Sequence, residues 1–483
     1  MPLKVKGLTS SLIFSCTLPY LWPMQLDDTI CALSTAPGMG AIAMLRVAGP
    51  QSFTIIDKIF HSGRLPEGLA SARANQLYYG KIKHKKELID EVMLGVYRAP
   101  HSYTGDDLLE ISCHGSTYIQ QKLLALLLEK GCRMADPGEF TFRAYFNGKM
   151  DLAQAEAVAD LIASENKAAH HLAVQQMRGG FSEQIKKLRQ ELIDFASLIE
   201  LELDFGEEDV EFAERDKLEA LLREIRAMVL DLLDSYQTGN ILKDGLAVAI
   251  VGAPNVGKST LLNALLREEK AIVTEIAGTT RDAIEDEITI DGVKFRFIDT
   301  AGIRETEDVV ESIGIKKTFE KIDESHLTLY LFDAAKYPER EKLVQREIRD
   351  LTERKGAEQV LVVANKMDLA PAGFERFRDD LIEISARQKV GLEKLKEAMK
   401  AKVDFEALQG NRVIVSNARH YHDLQQSLAD IDRVQEGLAQ GISGDFLAQD
   451  IREALRHLGN IIGEVDVDRD ILGNIFGKFC IGK

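Results

Sequence analysis

A glycine-rich segment between a strand-like run and a helix-like run has the residue types of a phosphate-binding loop. The apolar run LAVAIV leads into GAPNVGKS at residues 252–259, and STLLNALL continues as a helix pattern. Glycines let backbone N–H groups approach phosphate oxygens, Lys258 can reach the β and γ oxygens, and the Ser259 hydroxyl can ligate Mg²⁺. The flanking strand and helix supply the context that this pattern requires. The segment predicts nucleotide contacts from Asn255, Val256, Gly257, Lys258, Ser259 and Thr260, with Lys258 also a candidate catalytic residue.

A second segment places a carboxylate directly after a strand-like run. The tetrapeptide DTAG at residues 299–302 follows KFRFI. An aspartate in this position can meet the water shell of Mg²⁺, and a glycine amide can face the γ-phosphate. The predicted nucleotide contacts therefore include Asp299, Thr300, Ala301 and Gly302.

Two further segments indicate which base is bound. The run QVLVVA leads into NKMD at residues 365–368, and LIEI leads into the tripeptide SAR at residues 385–387. Guanine presents two donors, N1–H and the exocyclic amine, which one carboxylate can accept together, whereas adenine presents an acceptor at N1. The predicted guanine contacts are Asn365, Lys366, Asp368, Ser385, Ala386 and Arg387. The substrate predicted from these four segments is GTP.

The group that orients the attacking water is less evident. Ile303 follows DTAG, at the position where Ras-like proteins carry a water-positioning glutamine. An apolar side chain cannot orient a nucleophile, so the carboxylates of residues 305–311 are the candidates. The transition-state charge also needs a cation, from an arginine or a metal ion, and Asn255 lies where such an ion could sit beside the β–γ bridge.

The pattern of the rest of the chain predicts three kinds of structural unit. Strand-like runs with turn signals from about residue 28 predict an α+β domain, and apolar stripes at helical spacing over 151–237 predict a helical bundle. Alternating strands and helices from 245 to about 403 predict a parallel sheet covered on both faces. The helical tail from 412 is expected to pack on the first bundle, so that the nucleotide-binding unit is inserted in a helical domain. The predicted boundaries are 1–23 for an extension, then 24–142, 143–243, 244–404 and 405–483.

Composition excludes some classes of function. The 483 residues have a formal net charge of −17, which argues against a surface that binds nucleic acid by bulk attraction. We find no run of about 18 apolar residues, and therefore predict no membrane partner. The cysteines are widely spaced without a CxxC pair, which is typical of a reducing cytosol and predicts a cytoplasmic protein. They are Cys16, Cys31, Cys113, Cys132 and Cys480.

The first 23 residues only partly resemble a signal peptide. Lys4 and Lys6 precede an apolar stretch at 12–22, but Ser15 and Thr17 interrupt that stretch and no small-x-small cleavage site follows. Met24 offers a second start just before a strand pattern. We expect a disordered extension or a misassigned start.

Several longer motifs resemble one family. They are SYTGDDLLEISCHG at 102–115, PGEFTFRAYFNGKMDLAQAEAVADLI at 137–162, GTTRD at 278–282, and the C-terminal Cys480-Ile-Gly-Lys483. With the nucleotide motifs, these make the chain resemble the MnmE (TrmE) family of tRNA-modifying GTPases from about residue 28 to the end. The resemblance implies a multidomain protein with an α+β folate-binding-like N-terminal domain, an all-α helical domain and an inserted Ras-like α/β P-loop GTPase domain.

The resemblance also implies a GTPase activated by K⁺, which takes the place of an arginine finger. The implied K⁺ ligands are Asn255, Thr274, Ile276 and Thr279. Thr280 would join Ser259 on Mg²⁺, and Glu311 in DVVESIG matches the catalytic glutamate that orients water. The nucleotide contacts implied in this segment are Thr274, Glu275, Ile276, Ala277, Gly278, Thr279 and Thr280.

A second ligand is implied for the N-terminal domain. Arg46, Glu110, Lys149 and Lys483 match the positions that hold 5-formyl-tetrahydrofolate in the family, with methylene-tetrahydrofolate as the one-carbon donor. A pterin presents a guanine-like donor edge suited to a carboxylate, and its glutamate tail suits a cation. Cys480 is a candidate catalytic thiol, although isolated cysteines are commonly small buried side chains.

The implied partners are a second copy of this chain, joined through the N-terminal domain, and an FAD-containing MnmG (GidA)-like flavoprotein in a heterotetramer or larger complex. Together they would install an aminomethyl or carboxymethylaminomethyl group at carbon 5 of the wobble uridine of certain tRNAs, with the tRNA bound mainly by the complex. The G domains of the two copies would meet when GTP and K⁺ are bound. Two alternatives remain at this point. A ribosome-assembly GTPase shares GxPNxGKS but usually carries a basic RNA-binding module, and a GTP switch would turn over slowly.

Overall fold

The computed structural model describes residues 27–205, 215–270, 286–298, 322–372, 374–403, 412–442, 444–464 and Gly482. These residues form two compact units. The first comprises residues 27–150 with Gly482, and the second comprises residues 151–464 with the gaps given above. The N-terminal extension predicted for residues 1–23 lies outside the described residues, and the predicted domain boundaries stay predictions.

The first unit is built on a mixed sheet with three helices. Its strands are β1 Ile30–Leu33, β2 Ile42–Ala48, β3 Phe60–His61, β4 Gln76–His84, β5 Glu87–Tyr97, β6 Leu108–His114 and β7 Arg133–Met134. The helices are α1 Ser52–Asp57, α2 Thr117–Glu129 and α3 Glu139–Phe146. The strand order is β3-β4-β5-β6-β2-β1-β7, with only β1 and β7 parallel among these neighbours. This is the α+β arrangement that the turn-separated strand patterns predict.

The two faces of this sheet are covered differently. One face packs Leu45, Leu94 and Ile111 against helices α1 and α2 in the main core of the unit. On the opposite face, Phe140 of α3 packs with Ile30 and other small apolar residues in a second, smaller cluster. Since side chains alternate along a strand, residues such as Arg46 and Glu110 lie on the α3 side of the sheet. That side carries two of the candidate folate residues, Arg46 and Glu110.

The second unit contains a helical bundle assembled from two separate stretches of chain. The first stretch contains α4 Leu152–Ala163, α5 Lys167–Met177, α6 Gly180–Phe205 and α7 Arg215–Asp244. The later stretch contains two helices, Ala418–Gln440 and Gly444–Ile462. The predicted stripes are buried at Leu188, Leu192, Phe195, Ile199, Leu218, Leu222, Ile225, Val229 and Leu232. They share one apolar cluster with residues such as Leu424 and Ile451 from the later stretch. The predicted packing of the tail on the first bundle is confirmed.

A buried ionic cluster joins the two stretches of the bundle. The carboxylate of Glu156 accepts hydrogen bonds from Arg419 Nε and Nη2, both at 3.0 Å, and lies 2.6 Å from His420 Nε2. Arg419 also donates to the main-chain oxygens of Asn460 and Ile461. Burial acts to raise the pKa of Glu156, but the neighbouring His420 and Arg419 outweigh it and lower the pKa to about 2. Glu156 is therefore ionised near neutral pH, and the pair is a fixed link between the two stretches.

The remainder of the second unit is an α/β sheet. Its strands are β8 Leu246–Val251, β9 Asp286–Ile290, β10 Val293–Phe297, β11 Leu327–Asp333, β12 Val360–Asn365 and β13 Ile382–Glu383. Its helices are α8 Lys258–Lys270, α9 Tyr337–Lys355 and α10 Leu392–Lys400, so the two late helices of the bundle become α11 and α12. The strand order is β13-β12-β11-β8-β10-β9, and all pairs are parallel except β9 with β10.

Both faces of the α/β sheet are covered. Val248 and Ile250 of β8 belong to a cluster with residues of α8 and α10, whereas Ala249 and Val251 belong to a second cluster with residues of α9. This confirms the predicted parallel sheet with helices on both faces. Among the helices described here, none is long and apolar enough to cross a membrane.

Candidate functional site

The glycine-rich loop connects β8 to α8 through backbone conformations that residues other than glycine rarely adopt. Gly252 has φ 144° and Gly257 has φ 101°, and the non-glycine residue Asn255 has φ 63°. A Cβ atom on Gly252 would lie 2.0 Å from the oxygen of Leu331 in β11. Glycine is therefore required for the loop to turn this close to the neighbouring strand. The turn ends at the first residue of α8, where a helix N-terminus favours an anion.

Lys258 lies at the start of α8 and points back into the loop. Its Nζ donates to the oxygen of Gly252 at 2.8 Å and to that of Ala253 at 3.1 Å. Burial lowers the pKa of Lys258, since a desolvated ammonium is disfavoured. The side chain is thus held inside the loop, where a bound phosphate would pair with the positive charge of Lys258. Ser259 and Thr260 follow in the first turn of α8.

Asn365, at the end of β12, connects three of the predicted segments. Its Nδ2 donates to the oxygen of Val256 in the glycine-rich loop at 2.8 Å, and its Oδ1 accepts from the backbone N–H of Ala386 at 3.0 Å. The side chain is 2% exposed. A Cβ atom on Gly257 would lie 2.3 Å from Asn365 Nδ2, so the glycine makes room for this contact. One buried carboxamide therefore fixes the phosphate side of the site relative to the base side.

The base side of the site is formed by Asp368 and the loop after β13. The hydroxyl of Ser385 donates to Asp368 Oδ1 at 2.6 Å and accepts from the backbone N–H of Gln388 at 3.2 Å. Asp368 and Arg387 are exposed. The carboxylate is held by one contact and keeps acceptor capacity for the two donors of guanine.

Asp333, which ends β11, is a further site residue that was not among those predicted. Its carboxylate accepts from Lys366 Nζ at 2.8 Å, and the same Nζ donates to the oxygen of Asn255 at 2.7 Å. Lys366 adopts φ 63°, a left-handed conformation that a non-glycine residue seldom takes. An aspartate at the carboxyl end of a fully buried strand, LTLYLFD, was the signal that could have identified it. Asp333 orients the lysine that supports the glycine-rich loop.

Several predicted site residues lie outside the described residues. They are Thr274, Glu275, Ile276, Ala277, Gly278, Thr279, Thr280, Asp299, Thr300, Ala301, Gly302, Glu311, Cys480 and Lys483. The nucleotide residues that the structure does describe lie in one region at the carboxyl ends of β8, β11, β12 and β13, which is where parallel α/β sheets bind ligands.

In the first unit, two candidate folate residues are in direct contact. Arg46 of β2 and Glu110 of β6 are directly opposite in the register, and Arg46 Nε donates to Glu110 Oε1 at 2.9 Å. Tyr97 donates its hydroxyl to Glu110 Oε2 at 3.3 Å, and the Arg46 guanidinium lies 5.2 Å from the Tyr103 ring centroid. Burial raises the pKa of both tyrosines, with Glu110 adding to the effect at Tyr97. Arg46 and Glu110 are 20% and 15% exposed, so the pair is reachable by a ligand.

The other two candidates are placed only indirectly. Lys149 Nζ donates to the oxygen of Pro100 at 2.9 Å, in the same loop that brings Tyr103 to Arg46. Gly482, which precedes Lys483, accepts at its main-chain oxygen from Ser34 Oγ at 3.0 Å. A Cβ atom on Gly482 would lie 2.2 Å from the oxygen of Leu33, at the end of β1. The penultimate residue therefore packs on the strand beside β2.

Comparison with known proteins matches both units. The profile described as "MnmE helical domain" matches residues 152–480, and the profile described as "GTP-binding protein TrmE N-terminus" matches residues 29–149. A protein of Flavobacterium johnsoniae named tRNA modification GTPase MnmE is 53% identical over 465 residues, with 95% of this chain and 99% of that protein covered. A protein of the same name from Christiangramia forsetii is 54% identical over 476 residues, covering 95% of this chain and 100% of that protein.

A solved structure of a G-domain matches part of the chain. The FeoB G-domain from Methanococcus jannaschii is 29% identical, with a TM-score of 0.24, and covers 33% of this chain and 97% of that one. The assignment therefore depends on the profiles and the full-length relatives. Since one profile covers more than half of the chain and relatives cover nearly all of it at 53% and 54% identity, the resemblance is confirmed, and the chain belongs to the MnmE (TrmE) family.

Proposed function

We propose that this protein hydrolyses GTP to GDP and phosphate and acts in the modification of tRNA. The observation that carries the nucleotide part is the buried Asn365 side chain, which joins the glycine-rich loop to the loop of Ser385 and Ala386. That connection supports a single site in which the glycine-rich loop would bind the phosphates and Asp368 would select guanine. The tRNA part is supported by the name of the full-length relatives, tRNA modification GTPase MnmE.

Hydrolysis needs three contributions from this chain. Lys258 places a positive charge at the β and γ oxygens, and the backbone N–H groups of the loop surround the phosphates. Glu311 orients the attacking water, in place of the glutamine that Ile303 replaces. Mg²⁺ would be held by Ser259 and Thr280, and it neutralises phosphate charge when bound. The hydroxyl of Ser259 in the first turn of α8 fits that role, because it directly follows the phosphate-facing lysine.

We also propose that K⁺ activates the hydrolysis. Asn255 fits as a ligand, because its exposed side chain lies in the glycine-rich loop while its main-chain oxygen is held by Lys366 Nζ at 2.7 Å. Thr274, Ile276 and Thr279 would complete the site. A bound monovalent cation supplies positive charge beside the β–γ bridge, which is the contribution of an arginine finger in other GTPases.

Hydrolysis is expected to be about tenfold or more faster in KCl than in NaCl of equal concentration, an effect of the order seen for one electrostatic contact. Asn255→Gly is expected to lose this difference. Glycine is the appropriate substitution, because Asn255 adopts φ 63° and alanine would add backbone strain to the loss of the carboxamide. The measurement is phosphate release by the purified full chain in both salts.

The matched control is Asn255→Asp, which keeps a side-chain oxygen and tolerates the same backbone conformation. It is expected to retain stimulation by K⁺. If the wild-type rate were slow and equal in both salts, the protein would be a GTP switch or a ribosome-assembly GTPase, and the proposed activation would be wrong.

For the N-terminal domain we propose a tetrahydrofolate site built on Arg46 and Glu110, with Lys149 and Lys483. The Glu110 carboxylate would accept the donors of the pterin edge, and the cationic side chains would bind the glutamate tail. Support comes from the fixed position of Glu110, which Arg46 and Tyr97 hold on two sides. The contact of Gly482 with Ser34 also favours a role for the C-terminal residues near β1.

Glu110→Gln is expected to weaken binding of 5-formyl-tetrahydrofolate about tenfold to a hundredfold, because a charge-assisted hydrogen bond of about 1.5–3 kcal/mol is lost. Isothermal titration calorimetry of the full chain measures the dissociation constant. Glu91→Gln is a matched control, since Glu91 lies on β5 with its own partners Tyr79 and Lys81. Equal affinities of the Glu110→Gln and Glu91→Gln variants would contradict the site.

The proposed modification is an aminomethyl or carboxymethylaminomethyl group at carbon 5 of the wobble uridine. Methylene-tetrahydrofolate would supply the one-carbon unit, and an MnmG-like partner would supply FAD. Cys480 is the candidate nucleophile of this chain. The net charge of −17 favours a partner that contributes much of the positive charge for tRNA.

A homodimer joined through the N-terminal domain is supported by an apolar patch on its sheet. Leu77, Tyr79 and Met93 are 63%, 50% and 37% exposed, and Tyr79 and Met93 are directly opposite in the register of β4 and β5. Three large apolar side chains on one sheet face are typical of a surface that a second protein covers.

A further inference from the structure

The turn between β9 and β10 lies against the start of helix α5 in the bundle. The backbone N–H of Ala168 donates to the oxygen of Gly292 at 3.1 Å. Gly292 has φ 85°, and a Cβ atom there would lie 2.9 Å from Cβ of Lys167. The close approach therefore depends on a glycine at the tip of the hairpin.

Ion pairs hold the same hairpin on two sides. Lys294 Nζ of β10 lies 2.8 Å from Glu165, in the connection between α4 and α5, and 3.1 Å from Glu287 in β9. Burial lowers the pKa of Lys294, but the two carboxylates outweigh it and hold the pKa above its usual value. At the tip, Asp291 pairs with Lys400 of α10. The hairpin is thus tied both to the bundle and to the nucleotide-binding sheet.

The apolar packing is continuous across this junction. Ala168 and Leu172 of α5 and Leu242 of α7 belong to the same buried cluster as Val293 and Phe295 of β10. A displacement of the hairpin therefore changes the contacts of α5, because packed interiors have little slack.

A cavity of about 190 Å³ lies beside the junction. Its lining includes Lys294 of the hairpin, Ala169 and Ala173 of α5, and Lys243 of α7. The space is bounded by residues of both the bundle and the hairpin, so the cavity lies at the junction between them.

The hairpin is also connected directly, along the chain, to the two segments that would respond to the nucleotide. Its first residue, Asp286, comes six positions after Thr280, and its last strand residue, Phe297, comes two positions before Asp299. Both segments are therefore joined to the hairpin by short stretches of chain.

We propose that the β9–β10 hairpin transmits the nucleotide state of the GTP site to helix α5, and through α5 to the helical domain. The inference rests on the proposed GTP site and adds the route by which that site acts on the rest of the second unit. Such a coupling is reciprocal: if the bound nucleotide shifts the equilibrium position of α5 by some factor, then fixing α5 in that position changes the nucleotide affinity by the same factor.

The Ala168 amide gives a direct readout. The first amides of a helix have no partner within the helix, and Ala168 N–H is bonded to Gly292 while its neighbour Ala169 is bonded to Asn166 Oδ1. Hydrogen exchange at Ala168 therefore reports the hairpin contact. In the full chain we expect exchange in the peptide containing residues 167–172 to differ at least threefold between the GDP complex and a complex with a non-hydrolysable GTP analogue.

Two variants loosen the contact in different ways. Gly292→Ala places a methyl group against Lys167, and Glu165→Gln removes the bundle's carboxylate from Lys294. Each is expected to reduce the nucleotide-dependent difference to less than half. The matched control, Glu287→Gln, removes the partner inside the hairpin, leaves Glu165 in place and is expected to keep most of the difference.

Equal exchange in the two wild-type complexes would overturn the proposal, and so would a wild-type difference that persists in both Gly292→Ala and Glu165→Gln. Calorimetry on the same samples measures binding of each nucleotide. If the wild-type protein bound neither nucleotide, the GTP site itself would be wrong, which is distinct from a failure of the coupling with both nucleotides bound.

Discussion

A Lys258→Ala variant is expected to hydrolyse GTP with kcat/KM reduced by about 10²-fold to 10³-fold, the order of effect seen when a group that stabilises developing charge is removed. The Lys258 ammonium is held inside the glycine-rich loop by the oxygens of Gly252 and Ala253. From that position it can contact the β and γ phosphates. Alanine leaves in place the backbone N–H groups of the loop that surround the phosphates, so GTP binding is expected to fall less than the rate of hydrolysis. What the substitution removes is the side-chain charge of the loop.

The folded state should not suffer from this substitution. Burial lowers the pKa of Lys258, which means that desolvation disfavours the charged form of this side chain in the folded state. Thermal unfolding of the variant is therefore expected at or above the wild-type temperature. The control is Lys342→Ala, at an exposed lysine of α9. A loss of less than tenfold in phosphate release would contradict the assigned role.

An Asp368→Asn variant is expected to change which base the site accepts. Its affinity for GTP should fall by about 10²-fold to 10⁴-fold, because the amide N–H of asparagine would face the exocyclic amine of guanine, donor against donor. Xanthine carries an oxygen where guanine has that amine, and an asparagine amide can donate to it. Affinity for xanthosine triphosphate should therefore rise above that for GTP.

The surrounding contacts favour a clean result for this variant. Ser385 Oγ donates to Asp368 Oδ1 at 2.6 Å, and the side-chain oxygen of asparagine can accept the same hydrogen bond. Competition binding with both triphosphates measures the ratio, and Asp379→Asn, at an exposed acid nearby, serves as control. Unchanged selectivity would show that another residue reads the base.

The motifs of the candidate nucleotide site could be recognised in the sequence because their signals are local. Glycine 252, Lys258 and Asp368 each stand in short motifs next to strand patterns, and the helical stripe from Leu188 to Ile199 follows from a period of 3.6 residues. These features need no knowledge of which strands pair.

The connections between motifs were not predictable, because they depend on contacts between distant parts of the chain. Asn365 contacts Val256, which is 109 positions away, and Lys366 contacts Asp333 across neighbouring strands. The contact of Arg46 with Glu110 follows from the antiparallel register of β2 and β6, which no local pattern specifies. The family resemblance implied that both residues belong to a folate site, but it did not predict that they are in contact with each other.

The Glu156–Arg419 pair also has a consequence for how the chain folds as it is synthesised. The two residues are 263 positions apart in the sequence, and all strands of the sheet β8–β13 lie between them along the chain. A ribosome therefore releases the sheet strands β8–β13 while α4 to α7 still lack the helices that cover their apolar stripes. The inserted domain can complete its core first, and the bundle closes only after α11 and α12 have emerged. During that interval Leu188, Phe195 and Leu222 lack the part of their packing that α11 and α12 supply, so we expect the nascent chain to be most prone to aggregate through the helical domain.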